Sequence, residues 1–291
     1  MSADILALIE EKMEHFSKGQ KRIARYMTEY YNKAAYMTAA KLGREVGVSE
    51  STVVRFATEL GFEGYPQLQK SLQAHIRNKL TALQRMEAAD EGMEPVDVLQ
   101  KVLLSDVDKI KKTLEETSRE EFRQVVELLG KAKRVYIIGI RSAYALASFL
   151  YFYTNLILDD VKLVQTNTAS EMFEQVLKID EQDVLMALSF PRYSQRTIKA
   201  ARYAKQQGAT VVAITDSSAS PLCAAADHSL LAQSDMASFV DSLVAPMSLI
   251  NALIAAVGMR KKEEVAGTFA KLESIWDEFS VYEKEAEHGA V

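Results

Sequence analysis

The sequence has a single cysteine, Cys223, among its 291 residues, and it lacks any run of about 18 consecutive apolar residues. One thiol cannot form an intrachain disulfide or a multi-cysteine metal site, which fits a reducing compartment. The opening segment MSADILALIEEKMEH turns acidic where a secretory signal stays apolar. We therefore expect a cytoplasmic protein without a membrane-spanning helix.

Histidine is also scarce, and its distribution argues against a metal site. The four residues are scattered without ligand spacing, at His15, His75, His228 and His288. We therefore expect neither a metal ion nor a cofactor. The length exceeds that of a common domain, and 48% hydrophobic with 26% charged residues is ordinary for a folded chain, so two globular domains are expected.

The net charge of −5 is unevenly divided along the chain. Residues 1–86 hold 13 Lys and Arg against 9 Asp and Glu, a net charge of +4, whereas the remainder holds 22 against 31, a net charge of −9. The overall sign argues against a wholly basic nucleic-acid binder. This distribution instead fits a protein whose basic N-terminal part contacts phosphates, while the rest of the chain is acidic.

Two patterns of apolar residues divide the chain. From Asp4 to Ile76 the sequence reads as short amphipathic helices, with Ser17 placed to cap the second, and β-type alternation is almost absent. After Lys133, apolar strands alternate with helices, which is the order of βαβ units. The predicted strands are 134–140, 161–165, 183–189 and 210–215, and two of the predicted helices are 143–158 and 195–207. Strands that are apolar throughout predict a parallel sheet covered on both faces, so we expect an all-α head followed by an α/β three-layer sandwich.

The segment TAAKLGREVGVSESTVVRFATELGF, residues 38–62, has the spacing of two helices that meet across a tight turn. Gly43 lets the helices approach closely, Gly47 supplies a positive φ in the turn, and Ser49 can cap the second helix. Their shared core is predicted to contain Leu42, Val46, Val48, Val53 and Phe56. An unspecialised helical hairpin is the alternative, but the glycine, apolar and cap positions agree on a helix-turn-helix.

The second helix of this motif would be the DNA-recognition helix. Side chains that point outward near its N-terminal half meet base edges, where Arg can pair with guanine and hydroxyls can anchor phosphates. Two upstream lysines at the start of the second helix of the chain are placed to contact backbone phosphate, although exposed lysine is common for other reasons. The predicted DNA-contacting residues are Lys18, Lys21, Ser49, Ser51, Thr52 and Arg55.

Two loops in the second half combine hydroxyls with a helix start. The first predicted strand runs into Gly139-Ile-Arg-Ser142, and the strand ending at Ser189 runs through Phe-Pro-Arg-Tyr-Ser-Gln-Arg to Thr197, and each loop enters a helix. Helix N-termini favour anions, and ligands of such sheets bind beyond the strand C-termini. A serine at a helix start is often only a cap, but two such loops with a cation favour a binding site. The predicted anion-binding residues are Ser142, Ser189, Arg192, Ser194 and Thr197.

The order of these elements resembles the RpiR family of bacterial regulators, which join a helix-turn-helix to a SIS (sugar isomerase) domain. The resemblance spans nearly the whole chain and rests on VSESTVVRFATELGF, GYPQLQK, GIRS and AKQQGATVVAITDSSASPL. It implies a helix-turn-helix DNA-binding domain over 1–76, a linker over 77–97, a SIS-like effector-binding domain over 98–260 and a helical tail over 261–291. In the family, the serine of the first loop and a Ser/Thr-rich loop after a later strand hold a sugar phosphate.

One loop departs from the family pattern. SIS domains commonly carry a compact Ser-x-Ser-Gly-x-Thr loop, whereas this chain has SFPRYSQRT, which lacks the glycine and adds Pro191 and Arg192. A carboxylate or a non-sugar phosphate therefore stays open as the ligand. The expected function is a transcription regulator that binds operator DNA and senses an anionic metabolite, most simply a sugar phosphate.

Two alternatives remain at this point. The first is a sugar-phosphate isomerase, with Glu171 as the candidate acid or base, although a helical Glu is usually a solvated residue and we expect no enzymatic activity. The second is a domain that only dimerises, with empty loops. For a DNA-binding regulator, a homodimer or homotetramer is expected, because one helix-turn-helix contacts only one half-site. Candidates for the interface, or equally for the core, are Leu243, Leu249, Leu253, Ile254 and Trp276.

Overall fold

The chain forms two compact units, Met1–Glu91 and Gly92–Val291. The computed structural model describes residues 5–69, 71–72, 94–165, 168–234 and 240–282. The linker predicted over 77–97 lies outside the described residues except for 94–97, where the first described helix of the second unit begins.

The first unit is helical throughout its described residues. Its helices are α1 Ile5–Glu11, α2 Lys18–Glu29, α3 Tyr31–Ala34, α4 Ala39–Val46 and α5 Glu50–Glu59, and residues 65–69 and 71–72 are also helical. As predicted, Ser17 caps α2: its side chain accepts the backbone N–H of Gln20, and the Gln20 side chain accepts the N–H of Ser17. This reciprocal pair satisfies two N–H groups that the helix cannot bond internally.

The second unit alternates strands and helices after two long helices. The order is α6 Pro95–Glu116, α7 Arg119–Lys131, β1 Arg134–Gly139, α8 Ala143–Thr154, β2 Val161–Leu163, α9 Ala169–Val176, β3 Asp183–Leu188, α10 Gln195–Gln206, β4 Thr210–Thr215, β5 His228–Leu231, α11 Val244–Arg260 and α12 Lys262–Glu278. This confirms the three-layer α/β sandwich that the apolar strands predict.

Within the described residues, five strands form a parallel sheet in the order β2-β1-β3-β4-β5. Alternate residues of β1 serve two separate cores. Val135 and Ile137 pack with residues of α7, α8 and α11, whereas Tyr136 and Ile138 pack with residues of α9 and α10. Both faces of the sheet are therefore covered, which explains why the central strand β3 is buried at every position.

Several predicted boundaries were wrong at the edges of the sheet. The helix predicted to run to residue 158 ends at Thr154, because residues 155–157 turn toward β2. The second strand ends at Leu163 rather than at 165, and within the described part of the chain it pairs only with β1. The edge strand β5 was not predicted, since it has four residues and only Leu230 is buried.

No helix in the described part of the chain combines the length and the apolar character that crossing a bilayer requires.

Candidate functional site

The turn between α4 and α5 has the geometry that the sequence predicts. Gly47 ends α4 with φ at 68°, a conformation that favours glycine. A Cβ atom on Gly43 would lie 2.8 Å from the carbonyl oxygen of Val48, so the close approach of chain to helix requires glycine there too. Ser49 caps α5 through its side-chain oxygen, which accepts the N–H of Thr52 at 3.3 Å. These contacts identify α4 and α5 as a helix-turn-helix.

The core of this motif holds α5 firmly. All five predicted core residues contribute, the first three fully buried and the other two half-buried: Leu42, Val53, Phe56, Val46 and Val48. Farther along the chain, the Tyr65 hydroxyl donates to the carbonyl of Met37 at 2.8 Å, and burial raises the pKa of Tyr65 to about 12. Tyr65 therefore remains a neutral donor at physiological pH and ties residues 65–69 to the chain before α4.

The outward face of α5 presents a compact set of polar groups. The Ser49 Oγ atom lies 2.9 Å from Ser51 Oγ and 2.8 Å from Thr52 Oγ1. Arg55 is exposed, and its Nε donates to the carbonyl of Ser51 at 3.3 Å, one turn back along the helix. Val54, which was not predicted to contact DNA, is 41% exposed beside Arg55. Hydroxyls, a guanidinium and an apolar side chain thus share the solvent-facing side of α5.

The cations of α2 divide into two kinds. Lys18 is exposed at the start of the helix, as predicted, and Lys21 is half-buried with its Nζ 3.6 Å from a Glu14 carboxylate oxygen. Arg22 instead donates from Nη2 to the carbonyl of Gly47 at 2.8 Å. The Arg22 contact braces the turn of the motif, so this side chain has a structural role that charge alone did not reveal.

The loops after β1 and β3 enclose a cavity of about 150 Å³ at the C-terminal edge of the sheet. The strand order reverses between these two neighbouring strands, and ligands of open α/β sheets bind at such a crevice. Four of the five residues predicted for anion binding line the cavity, and Thr197 does not. The lining residues are Ile140, Arg141, Ser142, Ala143, Ser189, Phe190, Pro191, Arg192, Ser194 and Asp241.

Hydrogen bonds fix the loop after β3 in place. The Ser189 Oγ accepts the N–H of Ser194 at 3.0 Å, and the Ser194 Oγ accepts the N–H of Thr197 at 3.3 Å, which caps α10. The carbonyl of Ser189 accepts the Thr215 hydroxyl of β4 at 2.7 Å. A hydroxyl that accepts an N–H can still donate its own proton. Ser189 and Ser194 can therefore each donate to an anion.

Thr197 differs from the other predicted residues. Its side chain is fully buried one turn into α10, and its hydroxyl has no hydrogen-bond partner among the described residues. A buried hydroxyl without a partner is costly and rare in proteins. Thr197 consequently either has only a packing role, or its hydroxyl group is a donor that a ligand could use.

The loop after β1 contributes a hydroxyl that does not cap its helix. Ser142 precedes α8 in helical conformation, and its Oγ donates to Asp241 Oδ2 at 3.1 Å. Arg141 and Arg192 both have positive φ, at 61° and 66°, an uncommon conformation for a residue with a Cβ. The loops after β1 and β3 thus each carry an arginine in this strained conformation.

Asp241 also lines the cavity. It was not predicted, because 99 residues separate it from Ser142 in the sequence and only the fold brings the two together.

A second cavity of about 400 Å³ adjoins the first and shares Ile140 and Arg141 with it. Its other lining residues are Gly139, Tyr144, Val164, Gln165 and Glu171. Glu171 forms a capping box at the start of α9: its N–H donates to Thr168 Oγ1 at 3.2 Å, and its Oε2 accepts the N–H of Thr168 at 3.3 Å. This exposed carboxylate therefore has a structural role at the helix start.

Two family models match the chain, one on each unit. The helix-turn-helix domain of the rpiR family matches residues 3–79, and the SIS domain matches residues 128–256. An HTH-type transcriptional regulator of Caldanaerobacter subterraneus is 22% identical over 90% of this chain and 93% of its own length. The HTH-type transcriptional regulator HexR of Escherichia coli is 23% identical over 75% of this chain and 74% of its own length.

Solved structures show the same architecture. The sugar isomerase domain of an RpiR transcription factor from Sphaerobacter thermophilus is 25% identical, with a TM-score of 0.57 over 62% of this chain and 98% of that one. NanR of Vibrio vulnificus, solved with ManNAc-6P, is 20% identical, with a TM-score of 0.58 over 94% of this chain and 98% of that one. The chain thus carries the two domains of an RpiR-type transcriptional regulator, a helix-turn-helix domain of the rpiR family followed by a SIS domain.

Proposed function

We propose that this regulator binds operator DNA through α5 and that a sugar phosphate or a related anionic metabolite, bound between the loops after β1 and β3, changes its DNA affinity. The observation that carries the proposal is the cavity at the strand-order reversal, which gathers Ser142, Ser189, Arg192 and Ser194. Since the loop after β3 enters α10, backbone N–H groups of a helix start add to these donors.

The size and lining of the two adjoining cavities support a phosphorylated sugar as the ligand. The smaller cavity, with its hydroxyls and guanidinium, suits a phosphate group. The larger one is polar, with Gln165 and Glu171 on its wall, and suits the hydroxyls of a sugar ring. NanR, which shares the fold, was solved with ManNAc-6P. Thr197 is proposed as a further donor, because its buried hydroxyl lacks a partner within the described part of the chain.

For DNA binding, we propose that Arg55 and Val54 contact base edges and that Ser49, Ser51 and Thr52 contact the backbone. A guanidinium can pair with guanine, and an apolar side chain can contact the methyl group of thymine. Lys18 and Lys21 on α2 would add backbone phosphate contacts. A regulator that reads operator DNA would act in the cytoplasm, with the chromosome.

We further propose that the SIS domain binds its ligand without converting it. Isomerisation needs a positioned acid or base. The carboxylate of Glu171 is engaged in the capping box of α9, which supports a structural role instead. An assay for turnover of aldose and ketose phosphates checks this point, and measurable isomerisation that disappears in Glu171→Gln would contradict it.

The regulator is also proposed to act as a homo-oligomer that pairs two copies of α6. Val96, Leu99, Leu103, Val107, Ile110 and Leu114 follow helical spacing along this helix, and their side chains are 38 to 78% exposed. Its inner side instead holds the buried polar residues Lys109 and Thr113. An exposed apolar stripe on this scale marks an interaction surface, and a two-fold axis would place the stripe against its own copy.

The experiment that tests effector sensing combines calorimetry with gel shifts. Wild-type protein is titrated with inorganic phosphate and with a panel of hexose and hexosamine phosphates, and each ligand that binds is added to gel shifts with a duplex selected from a random-sequence library. We expect a bound sugar phosphate to shift DNA affinity by about 5- to 150-fold, the range of typical coupling free energies. Because effector and DNA binding are reciprocal, the DNA should change effector affinity by the same factor.

Substitutions at the cavity separate effector binding from DNA binding. In Ser189→Ala combined with Thr197→Ala, the effector response should disappear while DNA affinity without effector stays unchanged. The matched control is Ser170→Ala combined with Thr268→Ala, which removes two hydroxyls of the same unit outside the cavity. An equal response in both double variants would contradict the proposed site, and a wild-type protein that binds no anion would contradict sensing itself.

A further inference from the structure

The proposed anion site contains an anion of its own. Asp241 lines the smaller cavity, and its Oδ2 accepts the hydroxyl proton of Ser142 at 3.1 Å. A carboxylate at hydrogen-bond distance from a ligand-binding hydroxyl occupies the donor that a phosphate would use. It also repels a phosphate, since like charges a few ångströms apart destabilise each other strongly away from bulk water.

We propose that Asp241 is an internal competitor for the effector, whose phosphate must displace this carboxylate from Ser142 in order to bind. The inference rests on the proposed function of the cavity and adds a specificity determinant to it. The contacts of a bare phosphate do not extend beyond the smaller cavity, whereas a sugar phosphate also gains contacts in the adjoining one. Displacing Asp241 therefore costs free energy that the additional contacts of a sugar phosphate offset better than the contacts of inorganic phosphate. The carboxylate thus favours larger anions over inorganic phosphate.

The residue after Asp241 connects this competition to α6. Ser242 Oγ donates to Asp106 Oδ1 of α6 at 2.6 Å, and the same oxygen lies 3.2 Å from Lys109 Nζ. The side chains of Asp106 and Lys109 are 14% and 6% exposed, so this is a sheltered cluster rather than a surface ion pair. Since Asp241 and Ser242 are consecutive, a shift of the first is expected to strain the bond of the second to α6.

The polar inner side of α6 is consistent with a contact that must break and re-form. A helix held by apolar packing resists displacement, whereas a hydrogen-bonded contact can be exchanged for one with water at small net cost. We infer that ligand binding displaces Asp241, releases Ser242 from Asp106 and loosens α6 along its inner face. Among the described helices of the second unit, α6 is the one closest in sequence to the helix-turn-helix.

The first test measures binding of inorganic phosphate by calorimetry. Asp241→Asn keeps the size of the side chain and removes its charge, so phosphate affinity should rise at least about tenfold, as expected for one charge a few ångströms from a dianion. Asp241→Ser, which is smaller and also neutral, should show the same rise if Asn perturbs folding. The control Asp159→Asn makes the same change of net charge at the exposed turn before β2, on the opposite edge of the sheet, and should leave phosphate affinity within about twofold.

The results separate this inference from the proposed function. If wild type binds phosphate and both neutral Asp241 variants bind it no more tightly, Asp241 is not a competitor, while the effector site stands. Weaker phosphate binding by the variants would mean that Asp241 assists the ligand, and this also overturns the inference. If neither wild type nor the variants bind phosphate or any sugar phosphate, the proposed site itself fails.

The second test follows α6 by hydrogen exchange with mass spectrometry. Saturating phosphate should speed exchange of α6 amides around Asp106 in wild type. Ser242→Ala, which removes the bond to α6 and leaves the cavity intact, should show this faster exchange without phosphate and no further change on adding it. Unchanged α6 exchange in wild type with bound phosphate would overturn the connection between Asp241 and α6.

Discussion

Arg141 and Arg192 have the same unusual backbone conformation at corresponding places in the fold. Each lies in a loop after a strand of the central pair β1 and β3, and each has φ near 60°. This conformation costs a residue with a Cβ roughly 1–2 kcal/mol, which glycine avoids. Strained residues of this kind cluster at binding sites, where the surrounding structure maintains them. This chain lacks the glycine of the common SIS loop and adds Pro191 and Arg192, so the strain accompanies the gain of a cation.

Replacing Arg192 with glycine should therefore lower the affinity for the ligand without lowering the stability of the fold. In Arg192→Gly the backbone strain disappears, and we expect the free energy of unfolding to stay level or rise by up to about 1 kcal/mol. Affinity for a sugar phosphate should fall at least about tenfold, because a charge-assisted hydrogen bond is lost. Thermal unfolding and calorimetry measure the two effects.

The matched control is Arg202→Gly, the same substitution on the exposed side of α10. Glycine inside a helix lowers stability by about 1 kcal/mol, so the sign of the stability change should reverse, and ligand affinity should not change. A loss of stability in Arg192→Gly as large as that in the control would show that the loop does not strain this residue.

The sequence predicts local residue roles well and distant contacts poorly. Ser17 and Ser49 cap the helices that they were predicted to cap, because the backbone N–H group that each side chain accepts lies three residues away in the sequence. Asp241 meets Ser142 across 99 residues, and only the fold brings the two together. The positive φ of Arg192 was equally hidden, because the backbone angle results from the loop's anchoring at Ser189 and not from its own residue type.

At the scale of elements, the helix-turn-helix is the part that the sequence specifies most completely. Its turn, cap and core all depend on residues close in sequence, so predicted and observed positions agree from Thr38 to Leu60. The sheet was predicted in its central strands, which are continuously apolar. The edge strand β5 was missed, because its pairing with β4 is a tertiary contact that its half-exposed residues do not signal.

The recognition helix gives a direct prediction for Arg55. This side chain is exposed on α5, opposite the buried Val53 and Phe56, so truncation should leave the fold intact. Arg55→Ala should weaken specific DNA binding by roughly 1 to 3 kcal/mol and relax the preference at one base position. A gel-shift titration against the selected duplex and its single-base variants measures both effects.

The control for Arg55 is Lys33→Ala, which removes one exposed positive charge from α3 in the same unit. It should weaken binding to all duplexes equally or not at all, because it lies outside the helix-turn-helix. Unchanged specific affinity in Arg55→Ala, or an identical loss in both variants, would show that Arg55 does not read bases.

At the scale of the whole molecule, the distribution of apolar side chains supports the proposed self-association. Of the residues predicted to lie in an interface or in the core, Leu249 and Leu253 of α11 are buried in the core of the second unit. The exposed apolar stripe lies instead on α6, from Val96 to Leu114, and spans about 27 Å at the rise of an α-helix. An apolar groove of about 380 Å³ continues from Ile110 and Leu114 toward α7 and α11.

A charge placed in the middle of this stripe should break the oligomer. Leu103 is 57% exposed on α6, so Leu103→Glu costs little in a monomer, whereas burial of the new carboxylate between two copies is unfavourable by several kcal/mol. Light scattering after gel filtration should give a dimer or tetramer for wild type and a monomer for the variant, and specific DNA affinity should fall because paired half-site contacts are lost. Leu177→Glu makes the same change at a leucine that is 64% exposed just after α9, and it should leave the mass unchanged. A monomeric wild type would exclude the paired arrangement. A Leu103→Glu variant that stays oligomeric would show that the interface does not include this part of α6.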